Sequence, residues 1–403
     1  MKTINRELYL SRIRPFYESD LIKIIVGIRR CGKSVILEQI AEELEASGIS
    51  RDHMIFVRFE LIEFSEIKDA ASLVGYVKSK MTKPGKYYLF FDEIQKVDGF
   101  EDGINSLRVS DDCSIFITGS NGRLLSTELK TELTGRYVEF RIQPFTYREV
   151  KQLLEENEIA VDENTFYDFM KWGGMPQRLW FTQEREIRTY LSDLYNSIVL
   201  KDIVTRFKVK DPDLLERLTD YILDNSSRLF SANNVVEYLR KDGRKVSTST
   251  VYNYIDHILS SLIVENARRF DTKGKRLLSA SGKFYCADTG LRQVRTADAY
   301  SDVGVLLENI VYNELIARGY EVYVGKTPKA EIDFIAIKNG NKIYIQVCYM
   351  LSEERIIKRE FAPFDEIQDN YPKYVLSLDK FDMSRNGIHH LNVIEGFLLS
   401  DKF

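Results

Sequence analysis

The sequence has few of the features that mark membrane, secreted or disordered proteins. The longest apolar run, near residues 21–28, is interrupted by Lys23, and no stretch approaches the roughly 20 apolar residues of a membrane helix. The first ten residues contain no apolar segment of the kind found in signal peptides. Only eight prolines and no low-complexity tract are present, which argues against long disordered linkers. We therefore expect no membrane contact and a chain of compact domains.

Cysteine is also scarce, and its positions favour neither a disulfide framework nor a metal site. The four cysteines are scattered, and no two of them have metal-ligand spacing: Cys31, Cys113, Cys286 and Cys348. This usage is typical of the reducing cytoplasm, where we expect the protein to work. The net charge of −4 excludes a general binder of polyanions, so a nucleic-acid surface would have to be local.

The N-terminal part of the chain, up to about residue 145, predicts an α/β fold. Four short segments rich in β-branched or aromatic residues are typical of buried strands: residues 24–26, 55–57, 88–91 and 115–117. Between them, residues 33–44 carry apolar side chains at helical spacing. Alternation of strands and helices indicates a parallel sheet covered by helices.

Residues 27–34, GIRRCGKS, match the P-loop pattern G-x-x-x-x-G-K-[ST] between a strand and a helix. The glycines let backbone N–H groups approach phosphate oxygens, and the helix N-terminus adds the positive end of its dipole. We expect Lys33 to reach the β- and γ-phosphates of ATP, and Ser34 to offer its hydroxyl to Mg²⁺. The predicted nucleotide-binding residues are Gly27, Ile28, Arg29, Arg30, Cys31, Gly32, Lys33, Ser34 and Val35.

An apolar strand at residues 88–91 ends in two adjacent carboxylates, Asp92 and Glu93. Buried strands rarely end in two acids unless a cation or a proton transfer uses them. Asp92 is suited to hold Mg²⁺, directly or through water, and Glu93 to polarise the attacking water. The sequence therefore predicts ATP hydrolysis with Lys33 and Glu93 as catalytic residues.

Two further polar positions are catalytic candidates. After the strand at residues 115–117, Ser120 is our first choice for a contact with the γ-phosphate or the water, with Thr118 and Asn121 as alternatives. Arg136 is a candidate arginine finger, acting in cis or on the nucleotide of a neighbouring subunit of a homo-oligomer. Pairing with an internal acid is the alternative for Arg136.

Six segments in this order resemble a family of prokaryotic AAA+-type ATPases: GIRRCGKS, LFFDEIQK, FITGSN, TGRYVEF, PFTYREV and WGGMPQ. The resemblance covers residues 6–206. It implies ATP binding, an αβα P-loop NTPase core at residues 1–145 and a helical lid at residues 146–207. The remainder resembles a companion module of unassigned function. That module implies a winged-helix domain at residues 208–298 and a restriction-endonuclease-like α/β domain at residues 299–403.

The Gly-Gly-Met-Pro stretch at residues 173–176 interrupts a helical pattern and is either a hinge or a plain interhelical turn.

The proposed winged helix has a local excess of positive charge. Residues 228–295 contain 13 Lys or Arg against 6 Asp or Glu, a footprint that suits a nucleic-acid backbone. Residues 251–259 take the position of a recognition helix, and two strands at residues 264–270 and 277–286 form the wing. The candidate DNA contacts are Lys273, Lys275 and Arg276 at the tip of the wing and Tyr252, Asn253 and Tyr254 on the helix. Docking of a protein partner is the alternative, and Tyr254 is also a core candidate.

The last domain resembles a nuclease scaffold with parts missing. Glu308, then Glu331 and Asp333, then residues 346–348 follow the acid, acid, E-x-K layout of restriction-endonuclease-like enzymes. Here the third element reads Gln346, Val347, Cys348. The Gln346 carbonyl is a weak ligand, and Cys348 cannot replace the positive charge of a lysine. We therefore expect a domain without cutting activity, in which Glu331 and Asp333 pair with Arg or Lys.

These observations favour an ATPase whose nucleotide state repositions a DNA- or protein-binding C-terminal half. Two alternatives remain: a nucleotide-gated nuclease, and a non-hydrolysing ATP-dependent switch that acts through protein partners.

Overall fold

The computed structural model describes residues 3–119, 133–241, 243–274, 276–277, 282–296 and 302–403, without the side chains of Lys201 and Arg276. The described chain divides into two compact units. The first unit comprises Asn5–Ile142 with Ser260–Leu262, and the second comprises the remainder, chiefly Gln143–Leu259 and Ile263–Phe403. No helix within the described residues is both long and apolar enough to span a membrane.

A parallel five-stranded sheet forms the centre of the first unit. Its strands are β1 (Ile22–Val26), β2 (Met54–Arg58), β3 (Tyr87–Asp92), β4 (Cys113–Gly119) and β5 (Tyr137–Arg141). They lie in the order β2-β3-β4-β1-β5. The helices of this unit are α1 (Glu7–Ile13), α2 (Lys33–Ala46), α3 (Ala70–Lys80) and α4 (Phe100–Ser110). The predicted α/β fold with a parallel sheet is confirmed, and all four predicted strands are present.

The central strands are apolar on both faces, as a parallel sheet covered by helices requires. Every residue of β3 and of β4 is buried. Across three neighbouring strands, Phe90 stacks on Phe56 and on Phe116, with ring centroids 4.3 Å and 5.0 Å apart. These contacts bury a large aromatic area on one face of the sheet.

Lys23 is a charged residue in the middle of this apolar sheet. Its ammonium donates hydrogen bonds to the Ser114 hydroxyl at 2.7 Å and to the Ser19 carbonyl at 3.1 Å. Burial disfavours the charged form, and with the nearby Lys86 it lowers the pKa of Lys23 to about 7.

The second unit begins with helices and ends with a mixed sheet. Its helices are α5 (Tyr147–Glu156), α6 (Glu163–Trp172), α7 (Glu184–Ser197), α8 (Pro212–Asp224), α9 (Ala232–Lys241), α10 (Thr248–Ser260), α11 (Thr289–Gln293), α12 (Val303–Ala317) and α13 (Glu354–Phe361). Two π-helical segments follow α7 and the last strand: Ile198–Thr205 and Val393–Leu398.

Within the described residues, nine strands of this unit form two sheets. They are β6 (Val264–Ala267), β7 (Arg269–Asp271), β8 (Arg276–Leu277), β9 (Lys283–Cys286), β10 (Glu321–Lys326), β11 (Glu331–Lys338), β12 (Asn341–Val347), β13 (Lys373–Ser377) and β14 (Ile388–Asn392). The larger sheet has the order β14-β13-β12-β11-β10-β7-β8, and β6 pairs with β9. Asn339 and Gly340 form the hairpin between antiparallel β11 and β12, and both residues have positive φ.

The predicted wing has a different structure from the one expected. Each of its two strands is divided, so that β6 pairs with β9 and β7 with β8. Strand β7 also pairs in parallel with β10, which makes the outer part of the hairpin an edge of the C-terminal sheet. Lys273 is exposed in the turn after β7. Lys275 and the side chain of Arg276 lie outside the described residues.

The helices expected to form a lid share a hydrophobic core with the C-terminal half. Tyr147, Phe166 and Met170 belong to one buried cluster with Leu306 and Ile310 of α12. The subdivision into lid, winged helix and endonuclease-like domain stays a prediction, because this cluster crosses those boundaries.

The Gly173–Gly174 break is a tightly packed turn. The Gly174 amide donates to the Asp288 carboxylate at 2.7 Å, and a Cβ on Gly173 would lie 2.1 Å from that carboxylate. Complete burial raises the pKa of Asp288 to about 6. A turn held this closely does not have the freedom of a hinge, and the alternative of an interhelical turn fits it.

We expect Lys23 to make the stability of the protein increase with pH. Its pKa is about 7 when folded against 10.5 when unfolded, so unfolding takes up a proton between these values. The free energy of unfolding should therefore rise by up to about 1.4 kcal/mol per pH unit from this group. Urea denaturation of wild type and Lys23→Met at pH 7, 8, 9 and 10 measures the difference in slope. Parallel curves would contradict the expectation.

Candidate functional site

The loop between β1 and α2 has a conformation that depends on two of its glycines. A Cβ on Gly27 would lie 2.4 Å from the Ile142 carbonyl oxygen, so only glycine fits there. Gly32 caps α2 with φ of 103°, a left-handed conformation that favours glycine. The loop thereby leads directly into the N-terminus of a 14-residue helix, where free backbone N–H groups attract anions.

Lys33 begins α2 and its side chain is buried against the same loop. The ammonium donates to the carbonyls of Gly27 at 3.1 Å and Ile28 at 3.2 Å. It also lies 3.9 Å from the Glu93 carboxylate. The positive charge is therefore held at the loop, beside one of the two predicted acids.

The two residues predicted to hold Mg²⁺ are in direct contact. The Ser34 hydroxyl donates to Asp92 Oδ2 at 2.7 Å, although the two residues are far apart in the sequence. A hydroxyl and a carboxylate are oxygen ligands of the type that Mg²⁺ prefers. Ser34 and Asp92 are therefore the residues that could hold this metal.

Asp92 and Glu93 are adjacent in sequence but have different partners. The Thr118 hydroxyl donates to the second Asp92 oxygen, Oδ1. The Glu93 carboxylate accepts from the Gln95 side chain and lies near Lys33. Glu93 has φ of 58°, a conformation that is costly for a residue with a side chain and is often found at functional sites.

Thr118 was predicted only as an alternative to Ser120, but its hydroxyl lies against the Asp92 carboxylate. Strand β4 pairs with β3 so that Phe91 faces Ile117, which places the next residues, Asp92 and Thr118, side by side. The Thr118 hydroxyl also accepts a hydrogen bond from the Glu93 amide at 3.1 Å. The first choice, Ser120, and the other alternative, Asn121, lie outside the described residues.

Arg136 lies at the opposite end of the sheet from the P-loop. It immediately precedes β5, whose first residue pairs with Ile22 at the start of β1, whereas the P-loop follows the end of β1. Five residues of strand separate the two places, about 16 Å. This distance disfavours a role of Arg136 as an arginine finger on the nucleotide of its own P-loop. The exposed Arg136 side chain donates to the Asn105 amide oxygen at 3.1 Å.

Arg6 is a residue near the loop that the sequence analysis did not single out. Its guanidinium is buried and donates to the Cys31 carbonyl at 3.0 Å. Its backbone amide donates to Gln39 on α2 at 3.2 Å. No motif marks this arginine, because its contacts join segments that are distant in the sequence.

A second polar cluster lies in the second unit, around Lys283 of β9. The ammonium is 2.9 Å from Glu308, 2.8 Å from Glu331 and 3.4 Å from Asp333. Burial alone would lower the pKa of Lys283, but the three carboxylates outweigh it and raise the pKa. Burial and the neighbouring Asp333 raise the pKa of Glu308 to about 8. The structure thus brings together the acids named from the sequence, with a lysine that the sequence analysis missed.

The residues at the E-x-K position are occupied by other contacts. The Gln346 carbonyl accepts from the Asp333 amide at 3.3 Å, and its NH₂ group donates to Glu360 at 3.0 Å. Burial raises the pKa of the Cys348 thiol, so this side chain carries no charge at neutral pH.

The candidate DNA contacts on α10 are only partly accessible. Tyr252 and Asn253 are exposed, and Tyr254 is half-buried. Tyr252 and Asn253 are therefore available to a partner.

Two solved structures show a low similarity to the chain. The Aeropyrum pernix Orc1 protein in complex with DNA has a TM-score of 0.34 and 14% identity, covering 74% of this chain and 93% of that chain. AMPPCP-bound DnaA from Aquifex aeolicus has a TM-score of 0.33 and 13% identity, covering 64% and 89%. At these scores the similarity carries no argument about activity.

Family comparisons divide the chain into two regions. Residues 19–151 match the AAA domain family, and residues 163–298 match a domain of unknown function (DUF8612). An uncharacterised protein of Methanocaldococcus jannaschii is 29% identical over 377 residues, 89% of this chain and 80% of its own length.

An uncharacterised protein of Haemophilus influenzae is 34% identical over 398 residues, which are 98% of this chain and 98% of that protein. Such identity over nearly the whole of both chains shows common family membership. Together with the AAA domain match around the P-loop, it establishes that the chain belongs to the prokaryotic AAA+-type P-loop ATPase-like proteins.

Proposed function

We propose that the first unit binds ATP with Mg²⁺ and hydrolyses it to ADP and phosphate. The observation that carries this proposal is the contact between the Ser34 hydroxyl and the Asp92 carboxylate beside the P-loop. These two residues would hold Mg²⁺, which supplies positive charge to the phosphate oxygens when it is bound.

Lys33 is suited to stabilise the charge that develops on the transferred phosphoryl group. Its present acceptors are two backbone carbonyls, which are neutral groups that a phosphate can replace. A charge-assisted hydrogen bond to phosphate is stronger than a bond to a neutral carbonyl. Lys33 would therefore turn from the loop carbonyls to the β- and γ-phosphates.

Glu93 is suited to orient and polarise the attacking water. Its backbone is held by the Thr118 hydroxyl and its carboxylate by Gln95, so the side chain has a defined direction. Thr118 also binds Asp92. We therefore assign Thr118 a positioning role for both acids. Ser120 remains a candidate for the contact with the γ-phosphate or the water.

Arg136 would act on a nucleotide held by a neighbouring copy of the chain. Its exposure and its distance from its own P-loop support a role in trans, which requires a homo-oligomer. Its hydrogen bond to the neutral Asn105 is weaker than a bond to a charged phosphate, so a phosphate could replace Asn105.

The nucleotide state would reposition the second unit through the segment at Ile142 and Gln143. Ile142 donates its amide to Val26 at 2.7 Å, and its carbonyl touches the first glycine of the P-loop. Gln143, the first residue of the second unit there, donates to the buried Glu265 at 2.7 Å. A shift of the loop on nucleotide binding would therefore act on a residue next to the unit boundary.

We propose that the second unit binds DNA or a protein partner in the cytoplasm. The exposed Tyr252, Asn253 and Lys273 support either partner. Acids outside residues 228–295 neutralise some of the local positive charge, as at Arg228, Arg244 and Arg295. The positive charge that remains favours DNA.

The catalytic assignment is tested by two substitutions. Lys33→Ala should weaken ATP binding at least tenfold, since it removes a charged contact worth about 1.5–3 kcal/mol. Glu93→Gln should bind ATP within about threefold of wild type and lose about 10²–10⁴-fold in turnover, the range of general base catalysis. Nucleotide binding by fluorescence and phosphate release measure both effects.

The matched controls are Lys80→Ala and Glu42→Gln, exposed residues on α3 and α2, which should retain wild-type values. If wild type binds ATP without turnover, the non-hydrolysing switch is the correct alternative. If it does not bind ATP, the proposed function is wrong.

The role of Arg136 in trans is tested by mixing two inactive variants. Arg136→Ala should keep ATP affinity and lose at least tenfold in turnover, because arginine fingers contribute about 10³–10⁵ in rate. Mixed with Lys33→Ala, which retains the arginine, it should regain activity in shared oligomers. Arg51→Ala, an exposed arginine of the same unit, should behave as wild type. No regain on mixing, with oligomers demonstrated by light scattering, would exclude the role in trans.

Coupling between nucleotide and DNA is tested by the anisotropy of a labelled duplex. Wild type should bind DNA more weakly at 200 mM than at 50 mM salt, and neutralising Lys273, Lys275 and Arg276 together should reduce both the affinity and its salt dependence. ATP should change the affinity of Glu93→Gln and leave that of Lys33→Ala unchanged. Binding that is independent of salt, or absent, would instead favour a protein partner.

A further inference from the structure

The position of Lys283 bears on what the C-terminal carboxylate cluster can bind. In a restriction-endonuclease-like site, the acids hold a divalent metal and a lysine helps to activate water. Here an ammonium lies among Glu308, Glu331 and Asp333, at 2.9, 2.8 and 3.4 Å. A lysine ammonium has three donor hydrogens and accepts none. Its three hydrogens match three carboxylates, and its positive charge stands where a cation would be needed.

Further hydrogen bonds to the cluster come from neutral groups. Asp333 Oδ2 accepts from the Val347 amide at 2.9 Å, and Glu308 Oε1 accepts from the Tyr285 hydroxyl at 2.7 Å. The Gln346 carbonyl accepts from the Asp333 amide. In the part of the chain that the structure describes, no group of three or more His, Cys, Asp or Glu is arranged to hold a metal ion. The donor set therefore does not fit the metal that the fold resemblance implies.

Lys283 is fixed in this place by the backbone. Strand β9 pairs with β6, with Lys283 opposite Ala267, and Leu229 forms a further bridge to Lys283. The side chain is 5% exposed. Removing one partner of a buried ion pair leaves an uncompensated charge, which is strongly unfavourable. If the ammonium moved aside, Glu308 and Asp333 would lose the cation that pairs with them, and Glu331 would keep Arg269 at 3.6 Å.

We propose that Lys283 permanently replaces the divalent metal in this cluster, which thereby ties β9 to the C-terminal sheet and has no metal-dependent cutting activity. The proposal does not depend on ATP hydrolysis in the first unit. It accounts for both departures from the E-x-K layout, which are Gln346 in place of the acid and Cys348 in place of the lysine. A site that binds no metal needs neither the acid nor the lysine.

Manganese binding tests the proposal, with Asp92→Asn in every arm to remove the metal site of the first unit. By electron paramagnetic resonance and titration calorimetry, this parent protein should bind no Mn²⁺ at the cluster. Lys283→Met frees three carboxylates and should lower Tm. Added Mn²⁺ should then raise its Tm by about 2 °C or more, in a saturable way. The parent protein should show no such rise.

Three comparisons make the test specific. Lys283→Arg keeps a cation and should bind no Mn²⁺. Lys283→Met with Glu308→Gln should lose the rescue by Mn²⁺. If Lys283→Met does not fold, Mn²⁺ binding by the parent protein is compared with and without Asp333→Asn, and this comparison still shows whether the cluster holds a metal.

Two results would overturn the proposal. The first is a Mn²⁺ site in the parent protein that Asp333→Asn abolishes. The second is Mn²⁺-dependent cleavage of plasmid DNA by the parent protein that is lost in both Lys283→Met and Asp333→Asn. That pattern would make Lys283 the lysine of an active nuclease site.

Discussion

The carboxylate of Asp92 is the group on which the arrangement of the first unit depends. Its two oxygens accept hydrogen bonds from Ser34 on α2 and Thr118 on β4. A buried carboxylate without such donors would be costly. It therefore binds the P-loop helix to two neighbouring strands. The Glu93 amide donates to the same Thr118 hydroxyl, so this hydroxyl contacts both acids. One acid thus links the first turn of α2 to the ends of β3 and β4.

The two polar clusters described above stabilise their buried carboxylates in different ways. Around Asp92, the neutral hydroxyls of Ser34 and Thr118 satisfy the carboxylate and leave it able to accept a cation from solution. Around Glu308 and Asp333, Lys283 supplies the positive charge from within the chain. Neutral partners leave the negative charge of a carboxylate available to a cation, whereas an ammonium paired with carboxylates already neutralises it. This difference is the physical basis for assigning ligand chemistry to the first cluster and a structural role to the second.

The sequence predicts the parts of the site whose residues are close in sequence or lie in a recognised motif. The P-loop and the pair Asp92 and Glu93 are of this kind, because each needs only a strand and the turn after it. Thr118 and Lys283 could not be placed, since their partners depend on the register between strands that are distant in the chain. The same reason explains the wing: the pairing of β7 with β10 joins segments some fifty residues apart.

The close approach between Gly27 and the Ile142 carbonyl also limits how the sequence can diverge. Even a methyl group on residue 27 would lie 2.4 Å from that oxygen, far inside an ordinary van der Waals contact. A relative with alanine at this position would have to displace the end of β5. Because that oxygen belongs to the backbone, no change of the side chain at residue 142 would make room for it, and the requirement for glycine lies at residue 27 alone. Glycine at position 27 is thus required by the packing of the backbone as well as by the proposed approach of a phosphate.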